Sequence, residues 1–415
     1  MLKKNNFSFR PERTNSQNKI LITLFLLFVF RLGNTIPLTQ IDQEALRRSI
    51  FQLENKNALL QILNLVVGNE KTTLLNLFSL GIIPYINSSI LIDLLTTTFP
   101  FFEKIKEEGE SGRKEILRYK KIGTFFFSLF QSLFILFYLK SYFYSTTSFS
   151  YLLFVSQLVS GSMVIVWLTT LIDKRGIGNG TSLIIFSNII SGFLNKRMFE
   201  NFKLTPLFFL ESFILYGFFY LICYLQTTTI NIKVVSARQL TFLKRKESIE
   251  KRTSSPDFAG VKEGGLLLRL NQAGIFPIII ASNLLPLLSS FTNNILETIP
   301  FLKNGIYYFL IITFNYFYTI IFWDPEKISE QLRKASVSII NIRPGKQTVD
   351  YLERIVFQTS ILGGILLCGL LFSYDLVQKL LQGPFLAQVN ISSMIIFIGI
   401  SFEIKKTIVA LYKRK

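Results

Sequence analysis

The sequence predicts an all-α polytopic membrane protein, with ten transmembrane helices in two inverted pseudo-repeat halves around a central pathway. Three observations lead there. Half of the 415 residues are hydrophobic and 42 are Phe, a composition that excludes an ordinary soluble domain. Ten apolar runs follow one another, and most Lys and Arg stand in the segments between them. Two of the runs carry helix breakers at corresponding places in the two halves, the arrangement that marks a path through a repeat-built membrane protein.

Taken in order, residues 1–19 are polar, basic and poor in apolar residues, and read as a tail rather than a cleaved signal. Span one covers about 20–36, and a polar stretch, 37–56, follows. The weakly apolar segment 57–68 falls short of the roughly 20 apolar residues that a bilayer crossing takes, so it reads as a re-entrant piece leading into span two. Span two, 80–96, opens on Gly81 and Pro84. Proline has no amide donor and restricts the residue before it, so this span should be interrupted into a short and a long piece. Non-helical backbone at membrane depth is tolerated only where protein or water satisfies it, so the break should line a cavity. Further spans fall near 120–139, 151–172, 178–194 and 206–226. Span seven, 266–288, repeats the device, with Asn271, Gly274 and Pro277 ahead of an apolar run, and spans near 305–323, 355–372 and 387–402 complete the ten. The expected division is a tail, 1–19; a first five-helix half, 20–194; a second, 195–402, with long loops at 227–265 and 323–354; and a C-terminal tail, 403–415.

An even number of spans puts both termini on one side. That side holds 33 of the 45 Lys and Arg, which makes it cytosolic, or stromal in an organelle. The same pattern explains the net charge of +19 as orientation rather than nucleic-acid binding, which would need a soluble basic domain. Orientation does not explain why the loops 227–265 and 323–354 are so long, and they read as a docking surface. There is no His, and Cys223 and Cys368 lie inside apolar runs. The commonest metal ligand and general base are therefore missing and no disulfide framework is suggested, so a non-enzymatic protein without metal or cofactor is expected. The stretch RGIGNG at 175–180 lacks the lysine of a phosphate-binding loop and reads as close helix packing.

Six motifs stand in order over nearly the whole chain: KILITLFLLFVFRLGNTIP (19–37), LGIIPYINSSI (80–90), KEEGESGRK (106–114), RGIGNGTSLIIF (175–186), LRLNQAGIFPIIIAS (268–282) and IRPGKQTVDYLERI (342–355). On these the chain resembles the SecY family, channel subunits of the bacterial and plastid Sec translocon. The LRLNQ and KVVSARQ stretches are most similar to plastid and cyanobacterial members. The resemblance implies a channel that passes unfolded precursors across the membrane and releases membrane helices through a lateral gate between spans two and seven. It implies a pore ring at Ile82, Ile86, Thr181, Ile185, Ile279 and Ile396, a plug at 63–74, and gate residues Pro84, Ser88, Asn271 and Pro277. A waist that passes an extended chain but dewets against ions suits isoleucine. Arg343, Pro344 and Gly345 match the segment that engages a motor or ribosome; Pro-Gly fits the centre of a type II turn that would hold Arg343 at a tip. The partners implied are a small SecE-like membrane subunit, a SecA-like motor ATPase or the ribosome, a third small Sec subunit and secretory precursors. The location implied is the plastid thylakoid membrane, with a bacterial plasma membrane as the alternative.

Three departures stand beside the match. Thr181 occupies a place where relatives carry an apolar residue, Asp93 lies in span two, and the loop at 226–231 reads QTTTIN without the usual charges. A carboxylate at the lipid-facing centre of a helix costs about 2.5–3.5 kcal/mol, so Asp93 should lie near the interface or face the channel. A secondary transporter also uses broken helices, but it would bring charged groups to the midplane, where this sequence places mostly isoleucine.

Overall fold

A computed structural model describes residues 16–52, 75–193, 206–236, 264–271, 274–291, 300–340, 342–381, 386 and 389–413. The expected plug at 63–74 lies outside them. Among the described residues the helices are α1 (Ser16–Gly33), α2 (Gln43–Gln52), α3 (Ile83–Thr98), α4 (Pro100–Glu107), α5 (Glu110–Leu139), α6 (Ser148–Arg175), α7 (Gly180–Phe193), α8 (Pro206–Thr227), α9 (Phe276–Phe291), α10 (Pro300–Phe322), α11 (Pro325–Lys334), α12 (Lys346–Leu381) and α13 (Ile391–Lys413). A short 3-10 helix (Lys140–Tyr142) and three strands, β1 (Thr229–Ser236), β2 (Gly264–Arg269) and β3 (Val337–Ile339), complete the elements. All the helices except α2, α4 and α11 carry the ten apolar runs. By length and hydropathy alone, α5, α6, α8, α10 and α12 suffice to cross a bilayer.

The chain forms two compact units. The first comprises Met1–Ile92, Glu103–Asn195 and Ile400–Lys415; the second comprises Asp93–Phe102 and Lys196–Gly399.

In the first unit, α5 shows how these helices pack without a hydrophobic drive between them. Thr124, Ser128 and Ser132 form one fully buried stripe, each hydroxyl returned to a carbonyl of its own helix, while Phe126, Phe130, Leu133 and Phe137 are exposed. Small residues on the inner face let helices approach, and bulky apolar ones meet lipid. Close backbone approaches fall at Gly161, where a Cβ would strike the carbonyl of Leu77, and at Gly180, where it would strike that of Thr169. The core below gathers Leu38, Ile41, Leu46, Leu75, Leu80, Ile135, Leu139, Phe154 and Leu158.

In the second unit α10 packs on both α9 and α12. Asn315 of α10 is wholly buried, and its Nδ2 donates to the Ser360 carbonyl of α12 at 2.6 Å. Gly363 and Gly364 keep that contact open.

Two expectations are corrected. Spans two and seven are not helices broken into pieces: residues before Ile83 form turns, and Leu266–Arg269 belongs to β2. Pro84 and Pro277 each stand second in their helix, where the missing N–H has no intrahelical partner to lose and the fixed φ favours helix initiation. The segment 99–121 is largely helical, built from α4 and the first turns of α5. The long loops carry a small sheet, in the order β2-β1-β3, beside the helices of the described residues.

Candidate functional site

α3 and α9 are each launched from a polar knot closed by a glycine in the left-handed region. In the first unit the buried Asn76 donates from Nδ2 to the Asn34 carbonyl at 2.8 Å. Its own amide donates to Ser79 Oγ at 2.7 Å, and that hydroxyl donates back to Asn76 Oδ1 at 3.0 Å. Gly81 follows at φ 58°. In the second unit Asn271 Oδ1 accepts the Gly274 amide at 3.1 Å and its Nδ2 donates to the Gly274 carbonyl at 3.0 Å, with Gly274 at φ 65°. A side chain at either glycine would be strained, and Asn supplies the bonds that a helix would otherwise supply. Both sites share the pattern Gly-Ile-x-Pro.

The candidate ring residues follow from these launches. Ile82 lies immediately before α3 and Ile86 in its first turn, and both are buried, as is Pro84. Ser88, fully buried, donates to the Lys120 carbonyl of α5 at 2.7 Å, so its hydroxyl serves the packing of α3 on α5. Ile185 is half-buried, a turn into α7. In the second unit Ile279 is buried in the first turn of α9, and Ile396 is half-buried in α13. Pro277 and Asn271 are buried as well. None of the five isoleucines is exposed, whereas Phe137 and Leu21 are 78% and 70% exposed; a lipid-facing position would have left the isoleucines open too.

Thr181 is placed differently. It is the second residue of α7, and its amide donates to Asn179 Oδ1 at 3.1 Å, next to the Gly180 amide that donates to Asp173 Oδ1 at 2.7 Å. At a helix start there is no helical carbonyl three or four residues back for its hydroxyl. Thr181 therefore stands at the start of α7, one turn before Ile185 along the helix. Asp93 is half-buried near the C-terminal end of α3, and its carbonyl accepts Thr96 Oγ1 at 2.7 Å.

The two long basic loops meet in one platform. β1 pairs antiparallel with β2 from Thr229↔Arg269 to Val234↔Gly264, and with β3 from Val234↔Ile339 to Ser236↔Val337. Ile232, Leu268, Ile339 and Leu352 form its core, covered by Trp323, Ile328 and Leu332. Asp324 caps α11, accepting the amides of Glu326 and Lys327. Arg343 and Pro344 are exposed beside this core, and Gly345 at φ 114° makes the turn into α12. Thr348, buried, donates to the Arg343 carbonyl at 2.9 Å and fixes its backbone.

Two positioning groups carry only a faint sequence signal, a polar side chain at the edge of an apolar run. Gln226 Nε2 donates to the Ile395 carbonyl at 3.1 Å, holding α13 next to Ile396. Thr348 does the same for Arg343.

A solved structure described as "The structure of a protein conducting channel" matches with a TM-score of 0.61 at 14% identity, covering 97% of this chain and 94% of that one. Sec61 in a canine ribosome-channel complex from the endoplasmic reticulum matches with a TM-score of 0.56 at 14% identity, with the same coverage. The chain thus shares the polytopic fold of those channel structures. A family model described as SecY matches residues 76–405. The protein translocase subunit SecY of Porphyra purpurea is 36% identical over 414 residues, covering 96% of each chain; that of Synechocystis sp. is 31% identical, covering 94% of this chain and 91% of its own. The chain belongs to the SecY family.

Proposed function

We propose that this chain is the channel-forming subunit of a Sec translocase, passing unfolded precursor proteins across a membrane and releasing membrane helices sideways. The observation that carries the reading is the set Ile82, Ile86, Ile185, Ile279 and Ile396, all kept from the exposed surface, with three of the five at helices launched from polar knots. Isoleucine binds no substrate tightly and excludes water, which is what a waist for a moving polypeptide requires. Thr181 is read as lying at its entrance. Pro84 and Ser88 from α3, with Asn271 and Pro277 from α9, are proposed as gate residues, and 63–74 as the plug.

The platform bearing Arg343, Pro344 and Gly345 is proposed to receive the energy source, a SecA-like motor or a translating ribosome; the fold's solved relatives include ribosome complexes. A small SecE-like subunit and a third small subunit complete the assembly. Plastid and cyanobacterial relatives favour a thylakoid membrane. Proteoliposomes holding the purified complex, supplied with motor, ATP and an unfolded precursor, test the reading: the precursor should become protected from external protease. Protection equal to that of vesicles lacking this chain would refute it.

A further inference from the structure

The turn that launches α3 is held from a distance by a residue that the proposed channel reading does not use. Gln43, the first residue of α2, grips the backbone of Leu75 at two points: Nε2 donates to the Leu75 carbonyl at 2.7 Å, and the Leu75 amide donates to Oε1 at 3.4 Å. This imitates a strand pairing with one side chain. It acts beside a true antiparallel bridge, Pro37↔Asn76, and beside the bonds Leu38 N–H to Leu75 O and Leu77 N–H to Ile36 O, at 3.1 and 3.0 Å. Leu75 is wholly buried, so without Gln43 its amide would go unsatisfied, and its carbonyl would keep only the Leu38 amide. From Leu75 the chain runs through the Asn76–Ser79 knot, with Phe78 stacked on Phe30 at 5.8 Å, to Gly81 and Ile82. Gln43 is thus tied to the waist through seven residues with almost no freedom.

We propose that Gln43 is a positioning residue for the resting channel: its two-point grip on Leu75 fixes the launch turn, and with it Ile82, in the closed arrangement. The inference rests on the reading of Ile82 as part of the waist. Removing the grip should shift the closed–open balance, because the net worth of two buried hydrogen bonds corresponds to a change on the order of ten-fold.

The test is single-channel recording of the full chain in its native complex, without precursor, for five forms. Gln43→Met keeps length and volume and removes both polar ends; Ser79→Ala loosens the adjoining knot with little change of volume. Asp42→Ala removes the cap of α2, where Oδ1 accepts the amides of Glu44 and Ala45 at 3.0 Å, and so weakens the same region without touching residues 75–82. Ile82→Asn opens the waist directly, and the parent is the reference. The expected result is a resting open fraction raised about ten-fold in Gln43→Met and raised in Ser79→Ala, near the parent in Asp42→Ala, and raised in Ile82→Asn. A rise in Ile82→Asn with none in Gln43→Met, or an equal rise in Asp42→Ala, would overturn the positioning role and leave the waist standing. No rise in Ile82→Asn would overturn the waist reading itself. If Gln43→Met does not assemble, Ser79→Ala against Asp42→Ala decides on the same terms.

Discussion

Ser182 and Glu403, 221 positions apart, meet where Ser182 Oγ donates to Glu403 Oε2 at 2.8 Å. The bond joins the first turn of α7 to α13 within the first unit, one turn from Ile185 on one side and two from Ile396 on the other. A hydrogen bond to a charged acceptor is worth about 1.5–3 kcal/mol net. A double-mutant cycle with Ser182→Ala and Glu403→Gln, followed by thermal unfolding in detergent, should therefore return a coupling of at least about 1 kcal/mol. A coupling near zero would show that the pair is incidental.

Glycine substitutions should separate close packing from tolerance. In Gly161→Ala the new methyl meets the Leu77 carbonyl, a backbone atom that cannot step aside, whereas at Gly217 nothing lies within 4 Å. Overpacking of this kind costs roughly 1–3 kcal/mol. Gly161→Ala should accumulate poorly and unfold at lower temperature, and Gly217→Ala should match the parent; equal behaviour of the two would contradict the packing described for α6.

Arg343→Glu reverses one exposed charge on a turn fixed by Gly345 and Thr348. Surface changes away from structural features move stability by at most about 0.5 kcal/mol, so insertion and unfolding temperature should stay at parental values. Motor-driven export by isolated membranes should fall sharply. Normal export would remove Arg343 from the docking role.

Thr181 and Ile185 should behave differently although they are neighbours on α7. Thr181→Ile, at the helix entrance, should leave resting ion leak unchanged, while Ile185→Ser should raise it by placing a hydroxyl in the apolar waist. Conductance recordings of both against the parent distinguish the assignments; a fall in leak for Thr181→Ile would return that residue to the ring.

The sequence was legible wherever one long-period signal dominated. Ten apolar runs sit on ten helices because hydropathy is local and additive, and Pro84 and Pro277 were recognisable as interruptions because proline acts through its own backbone. What those prolines do was less legible. A break inside a helix and a start of a helix look alike until the partners of Asn76 and Asn271 are known, and those partners are backbone atoms that no composition reveals. The three-stranded sheet escaped because its strands come from two loops separated by α9 and α10, and pairing between distant short strands leaves little trace in either. The polar ties at Gln43 and Ser182 leave no sequence signal, and those at Gln226 and Thr348 only a faint one, for the same reason: each is defined by what it touches. For Thr181 the motif fixes only its order along the chain; that it stands second in its helix follows from where α7 begins, at Gly180.

We propose that a translocating polypeptide touches both Ile82 and Ile279. It is tested most directly by photo-crosslinking from single positions 82, 279 and 137 to a precursor stalled by a folded C-terminal domain. Ile82 and Ile279 are buried and Phe137 is 78% exposed, so the account predicts precursor adducts from 82 and 279, dependent on the precursor being engaged, and none from 137. Adducts from 137 with none from 82 or 279 would contradict it.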